Sequence, residues 1–185
     1  MVRAVIFDCY GVLVGEQYMM VRKQYPEMRA GFDEIFEAGD LGQETFEERT
    51  GRIEELLDGR GLDGKEVLET EGNMGMLNRE LLGSIKKLRG RYKTGVLSNT
   101  CDGFYRSFEG MDLGEYFDDV VLSCEVGLLK PDPRIFELAA ERLGVLPEEC
   151  AFVDDSEGNV RAAEDCGMKG ILYEWGMDVQ AFLEK

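Results

Sequence analysis

The chain has 185 residues, 44% of them hydrophobic, and carries a formal net charge of −17 from 21 basic against 38 acidic side chains. That excess of acid argues against nucleic-acid and anionic-membrane partners, which need clustered positive charge, and the absence of histidine excludes Ser-His and Cys-His nucleophile pairs and histidine-ligated metals. The length suits one α/β domain with a small insert, no apolar run approaches the ~20 residues that span a bilayer, and the N-terminus enters a strand with no signal-peptide core, so a cytoplasmic protein is expected.

Val5-Ile6-Phe7 is a continuous apolar run that ends in Asp8 and turns at Gly11. It reads as a buried parallel strand that delivers a carboxylate to its own carboxyl end, where ligands bind in open α/β sheets. From Glu16 to Gly83 the spacing becomes helical, with Phe32, Ile35 and Phe36, then Phe46, Ile53, Leu56 and Leu57, punctuated by glycines. Three or four short helices are predicted there, forming an inserted unit over residues 16–83 between core segments 1–15 and 84–185. The acid excess is concentrated from Asp33 to Glu80 and reads as a solvated helical face. Gln17, Tyr18, Arg22 and Lys23 are the insert's polar candidates for substrate specificity.

Leu81, Leu82, Ile85 and Leu88 continue as an amphipathic helix ending near Gly90, and Tyr92 to Leu97 is a second strand that ends in Ser98-Asn99-Thr100. Asp118 to Ser123 is a third strand, Asp132 to Leu143 a helix stopped by Gly144, and Cys150 to Val153 a fourth strand ending in Asp154-Asp155. A helix through Val160, Ala163 and Cys166 closes at Gly167, and Gly170 to Tyr173 is a fifth strand. Alternation of this kind predicts a doubly wound parallel sheet with a small inserted α-helical cap. Cys9, Cys101, Cys124, Cys150 and Cys166 include no Cys-x-x-Cys pair and are expected to be buried free thiols.

Three strand ends present polar groups to one edge of such a sheet: Asp8, Ser98-Asn99 and Asp154-Asp155. Lys130, followed by Pro131-Asp132-Pro133, emerges at a helix start where proline fixes the chain direction. Taken singly, these are ordinary turn, helix-entry and N-cap residues. Together they make a carboxylate nucleophile, hydroxyl and amide donors, one cation and an acidic pair, which suits phosphate with Mg²⁺.

With those residues in order, the chain resembles the haloacid dehalogenase-like (HAD) hydrolase superfamily over nearly its full length. The motifs are the strand leading to Asp8, Leu97-Ser98-Asn99-Thr100, Leu129-Lys130-Pro131-Asp132-Pro133, and Phe152-Val153-Asp154-Asp155-Ser156-Glu157-Gly158-Asn159. The resemblance implies a HAD-like Rossmannoid core, with the insert as the small cap of one branch. Motifs two to four are most similar to the epoxide-hydrolase N-terminal phosphatases and sugar-phosphate phosphatases. It further implies that Asp8 is the nucleophile, that Ser98, the Asn99 amide and Lys130 hold phosphate, and that Mg²⁺ sits on Asp8, the Tyr10 backbone carbonyl and Asp155 with Asp154 behind them. The substrate implied is a small phosphorylated metabolite.

Tyr10 departs from the phosphatase pattern, which places a second aspartate there as general acid and base, and in this it resembles the haloacid dehalogenases. A metal-independent 2-haloacid dehalogenase is therefore one alternative, and a non-catalytic binding protein on the same fold is another. The Asp154-Asp155 pair points back to Mg²⁺ and phosphate, because converging carboxylates without a cation repel one another and raise a pKa that a nucleophile needs low.

Overall fold

The computed structural model describes residues 1–15, 25–57, 77–100 and 104–183. Its centre is strand β1 (Ala4–Phe7), in which all four side chains are fully buried because both faces of the strand are covered. Side chains alternate across a strand, so Val5 and Phe7 enter one core cluster with Leu81, Leu82, Ile85 and Leu88, while Ala4 and Ile6 enter a second with Ile135, Phe136 and Ala140.

Strands β2 (Lys93–Ser98), β3 (Asp119–Leu122), β4 (Cys150–Asp154) and β5 (Lys169–Leu172) complete a parallel five-stranded sheet of order β3-β2-β1-β4-β5. Ala4 pairs with Lys93 on one side and Cys150 on the other, and Phe7 pairs with Val96 and Val153. The chain thus leaves β1 first toward β2 and β3, then crosses back to β4 and β5. That reversal opens a crevice outside the carboxyl ends of the central strands, where Asp8 stands.

In chain order, the helices of the described residues are α1 (Arg29–Asp40), α2 (Phe46–Leu56), α3 (Arg79–Leu88), α4 (Ser123–Val126), α5 (Pro133–Leu143), α6 (Glu157–Asp165) and α7 (Gln180–Leu183). Helix α5 starts where Asp132 accepts a hydrogen bond from the Arg134 N–H and Pro133 takes the first helical position. Helices α3 and α7 cover one face of the sheet, and α5 and α6 cover the other. The doubly wound α/β architecture read from the sequence is the one observed.

Helices α1 and α2 pack on each other around their own cluster of Met28, Phe32, Ile35, Phe36, Ile53 and Leu57. Thr45 and Glu48 form a reciprocal capping box that starts α2. This pair reaches the sheet domain at Gly42, whose φ is +70° and whose missing side chain lets it lie against the Cys124 carbonyl of α4. The insert leaves and returns side by side: Val14 bridges Leu77, and Asn78 donates its N–H to the Leu13 carbonyl at 2.8 Å and its amide to the Val12 carbonyl at 3.0 Å. Position 83 falls inside α3, which is packed against the sheet from Leu81 onward.

Gln17, Tyr18, Arg22, Lys23 and Cys101 lie outside the described residues. Cys9 and Cys150 are buried free thiols as expected, whereas Cys124 and Cys166 are free but only half-buried. No helix among the described residues is long and apolar enough to cross a membrane.

Candidate active site

Asp8 follows β1 directly, and its N–H donates to the Val153 carbonyl at 2.8 Å, which extends the β1–β4 ladder by one residue and fixes the origin of the side chain. Lys130 comes from the loop that precedes α5. Its ammonium donates to Asp8 Oδ1 at 2.6 Å and to Asp154 Oδ2 at 2.8 Å, with only 2% of its side chain exposed. Two features aim it there. The Asn99 side chain clamps the Lys130 main chain, and the ammonium stands 5.4 Å from the centre of the Phe152 ring.

Asp154 is fully buried, and the geometry accounts for its charge: besides Lys130 it accepts from the Ser156 N–H at 2.8 Å and from the Asn159 amide at 3.1 and 3.3 Å. Asp155, the next residue, is more exposed. Oxygen atoms of Asp8, Asp154 and Asp155 all lie within 4.8 Å of one another. Gly11 makes that approach possible, since its φ of +94° suits glycine and a Cβ there would collide with the Asp155 carboxylate.

Electrostatics follow from this crowding. The Asp8 carboxyl is pushed up to about 7, chiefly by burial, with Lys130 pulling it down and Asp154 and Asp155 adding to the rise. The expected repulsion between carboxylates is present, but burial is the larger cause. Burial also works against the Lys130 ammonium, yet Asp8 and Asp154 more than offset it and its pKa is raised. Three carboxylates against one ammonium leave two negative charges on hard oxygen donors with no sulfur among them. That donor set fits a divalent cation such as Mg²⁺.

Ser98 ends β2 fully buried, and its hydroxyl has no hydrogen-bond partner among the described residues. Leaving such a group unsatisfied costs about 1–3 kcal/mol, which an incoming acceptor would recover. The Asn99 side chain is engaged by the Lys130 main chain. Its amide donates to the Lys130 carbonyl at 2.9 Å and accepts from the Lys130 N–H at 2.8 Å. Tyr10 is half-buried, and its hydroxyl accepts from Thr100 Oγ1 at 3.5 Å. Thr100 is held in turn by the buried Ser123 hydroxyl, which accepts from the Thr100 N–H at 2.8 Å and donates to its carbonyl at 3.1 Å.

The structure therefore brings Asp8, Lys130, Asp154 and Asp155 into one cluster, with Ser98 and Asn99 at the neighbouring strand end and Tyr10 in the loop after Asp8. Sequence reasoning read Gly11 only as a turn and assigned no role to Asn159 or Ser123. Gly11 and Asn159 sit within the motifs, three residues after Asp8 and five after Asp154, so spacing alone could have marked them. Ser123 read only as a strand end.

A doubly wound, Rossmann-like sheet with a carboxylate–lysine centre at its carboxyl edge is the arrangement of a class of hydrolase. The chain belongs to the haloacid dehalogenase-like hydrolases, a family that matches residues 2–167. Among relatives, it is 27% identical over 200 residues to the D-ribitol-5-phosphate phosphatase of Bacteroides thetaiotaomicron, covering 96% of this chain and 95% of that protein. It is 39% identical over 74 residues to the bifunctional epoxide hydrolase 2 of Rattus norvegicus, where the match covers 40% of this chain and only 13% of that relative's length. Among solved structures, a HAD-family enzyme from Bacteroides thetaiotaomicron in complex with magnesium and inorganic phosphate superposes with a TM-score of 0.80 at 26% identity, covering 98% of this chain and 99% of that one.

Proposed function

We propose that the chain is a Mg²⁺-dependent phosphohydrolase that removes phosphate from a small phosphorylated metabolite through an aspartyl-phosphate at Asp8. The observation that carries this reading is the Lys130 ammonium held 2.6 Å from Asp8 and 2.8 Å from Asp154 inside a three-carboxylate cluster. The Ser98 hydroxyl at the neighbouring strand end, without a hydrogen-bond partner among the described residues, supports it, as do the phosphatase relatives.

In this mechanism the Asp8 carboxylate attacks phosphorus, the bond from phosphorus to the leaving oxygen breaks, and that oxygen takes up a proton. Water then attacks the acyl phosphate, which releases inorganic phosphate and regenerates the carboxylate. The Ser98 hydroxyl, the Asn99 main-chain N–H and the Lys130 ammonium bind the phosphoryl oxygens. Asp154 is already engaged by Lys130, Ser156 and Asn159, so it acts by orienting the lysine. Asp8, Asp155 and the Tyr10 carbonyl would hold Mg²⁺, with Asp154 behind them. When bound, the dication supplies positive charge that keeps Asp8 ionised and shields the transferring phosphoryl group.

The insert that carries α1 and α2 and returns at Leu77 serves as a cap that closes over the sheet edge, seated where Gly42 meets Cys124. Its acid excess disfavours multiply phosphorylated substrates through like-charge repulsion. The negative net charge argues against nucleic-acid and anionic-membrane partners, and the free thiols among the described residues suit the reducing cytoplasm.

Tyr10 favours a second reading, attack of Asp8 on a 2-halo acid, which the Asp154-Asp155 pair opposes. Phosphate release from p-nitrophenyl phosphate with Mg²⁺, set beside halide release from 2-chloropropionate in EDTA, tests both. Metal-dependent phosphate release is expected. Halide release in EDTA without phosphatase activity would replace the first reading with the second.

A further inference from the structure

Where the insert returns to the sheet domain, one buried side chain makes more bonds than its place in the helix requires. Asn78 caps α3, and its Oδ1 accepts from the Leu81 N–H at 3.1 Å. A helix cap needs only that acceptor. The amide nitrogen is engaged elsewhere: Nδ2 donates to the Val12 carbonyl at 3.0 Å and to the Tyr173 hydroxyl at 2.7 Å. The Asn78 main-chain N–H donates to the Leu13 carbonyl at 2.8 Å.

Both carbonyls belong to the loop that follows Asp8, and that loop is closed on itself. Gly11 donates its N–H to the Val14 carbonyl at 2.7 Å, and the N–H groups of Leu13 and Val14 converge on the Cys9 carbonyl at 2.8 and 2.9 Å. Cys9, Val12, Leu13 and Val14 are buried, so carbonyls there need partners within the protein. Val14 bridges Tyr10 inside the loop and Leu77 in the returning chain. The loop therefore moves as a unit with Tyr10 and Gly11, and Asn78 grips it from outside at two points.

Tyr173 supplies the link to the other carboxylates. It is buried just after β5, and its N–H donates to the Asp154 carbonyl at 2.9 Å. Its hydroxyl also accepts from the Gly176 N–H at 3.4 Å. Three hydrogen bonds thus run from Asp154 through Tyr173 and Asn78 to Val12. The place suits an amide in particular. Aspartate would cap α3 equally well but would set a carboxylate oxygen beside the Val12 carbonyl, and serine would cap it without reaching Val12 or Tyr173.

We propose that Asn78 is a positioning residue for the reaction at Asp8, holding the loop of Asp8, Tyr10 and Gly11 in register with Asp154 and Asp155. Gly11 lies against the Asp155 carboxylate, so a shift of the loop reaches that carboxylate directly. The reaction served is the phosphohydrolysis proposed above, and the proposal rests on that reading; the tether itself does not.

Asn78→Ser is the test, because it keeps the helix cap and removes the tether. Tyr173→Phe is the milder second variant, taking one acceptor from the amide while leaving the ring in the core. Hydrogen exchange in EDTA reads the tether without any activity. In Asn78→Ser the amides of Leu13 and Val14 should exchange at least about tenfold faster, as the loss of one buried hydrogen bond allows, while those of α5 keep their protection. Calorimetric titration should show Mg²⁺ binding weakened at least about tenfold, since near-octahedral coordination tolerates little movement of a ligand. Tyr173→Phe should show both effects in smaller measure. Unchanged exchange in the loop, an equal loss of protection across the whole sheet, or wild-type Mg²⁺ affinity in both variants would overturn the proposal. If the wild-type chain neither binds Mg²⁺ nor releases phosphate, the phosphohydrolase reading fails instead, and exchange confined to the loop would still support the tether.

Discussion

The side-chain amide of Asn99 and the main chain of Lys130 hold each other at two points, 2.9 Å from Nδ2 to the carbonyl and 2.8 Å from the N–H to Oδ1. The contact ties the end of β2 to the loop before α5, and the reach of the ammonium to Asp8 depends on it. Asn99→Ala should cost about 1–3 kcal/mol in urea unfolding, because two part-buried main-chain groups lose their partner, and phosphate release should fall with it. Lys130→Met should cost more in the metal-free protein, about 3–5 kcal/mol, because it leaves Asp8 and Asp154 buried with no counter-charge. Unfolding of Lys130→Met at the wild-type urea concentration would show that the ion triad does not support the fold.

The Asp8 shift has a consequence that pH reads directly. Its carboxyl titrates at about 7 in the folded chain, against about 3.9 when unfolded. The folded state binds this proton more tightly, so the stabilising contribution is complete below the unfolded value and is lost as pH rises toward 7. Lys130 is raised from an already high value and stays charged throughout that window. With no histidine in the chain, few other groups titrate between pH 5 and 8. The metal-free protein should therefore lose on the order of 3 kcal/mol between pH 5 and pH 8, at about 1.4 kcal/mol per pKa unit. Millimolar Mg²⁺ should restore stability at pH 8 and do little at pH 5. Urea midpoints that rise with pH over that range in EDTA would contradict the assignment.

Gly11 offers a route to the metal site that leaves every carboxylate in place. Its φ of +94° and its contact with the Asp155 carboxylate mean that Gly11→Ala must strain the backbone and displace Asp155. The backbone part costs about 1–2 kcal/mol. The displacement should weaken Mg²⁺ binding about as much as Asp155→Ala does, at least about tenfold, since near-octahedral coordination tolerates little movement of a ligand. The checks are the Mg²⁺ dependence of phosphate release and of the melting temperature. Wild-type Mg²⁺ dependence in Asp155→Ala would remove that residue from the metal site.

The strand ends were legible because each is an apolar run that stops at a polar residue, and a parallel sheet turns that pattern into a common edge. Asp8, Asp154 and Asp155 converge for that reason, and Lys130 reaches them from the loop before α5. What was not legible depends on contacts between distant residues. The turns at Phe104–Phe108 and Leu113–Glu115 and the four-residue helix α4 are too short to show a period. The Asn99 amide is taken up by a main chain 31 positions away, which no local pattern announces. Repulsion among the carboxylates could be foreseen from their motifs, but the dominance of burial in the Asp8 shift needs the packed core around β1.

Tyr10 carries the last prediction, because it stands where a second carboxylate would provide the acid and base. Its hydroxyl accepts from Thr100 Oγ1 at 3.5 Å, a contact that does not use the phenol's own proton. A phenol can donate its proton to a leaving oxygen but is a poor base for the hydrolytic water. The two halves of the reaction should then be unequal. Substrates whose leaving groups depart without a proton, such as p-nitrophenyl, acyl and anomeric sugar phosphates, should turn over faster than simple alkyl phosphates, and Tyr10→Phe should widen the gap. Hydrolysis of the aspartyl-phosphate should be slow, which gives a burst of product before a slower steady state. General acid–base catalysis contributes roughly 10²–10⁴-fold, so even an imperfectly placed carboxylate in Tyr10→Asp should raise the steady rate about tenfold. Equal wild-type rates on p-nitrophenyl and alkyl phosphates, with no burst and no gain in Tyr10→Asp, would assign the acid and base to a residue of the cap.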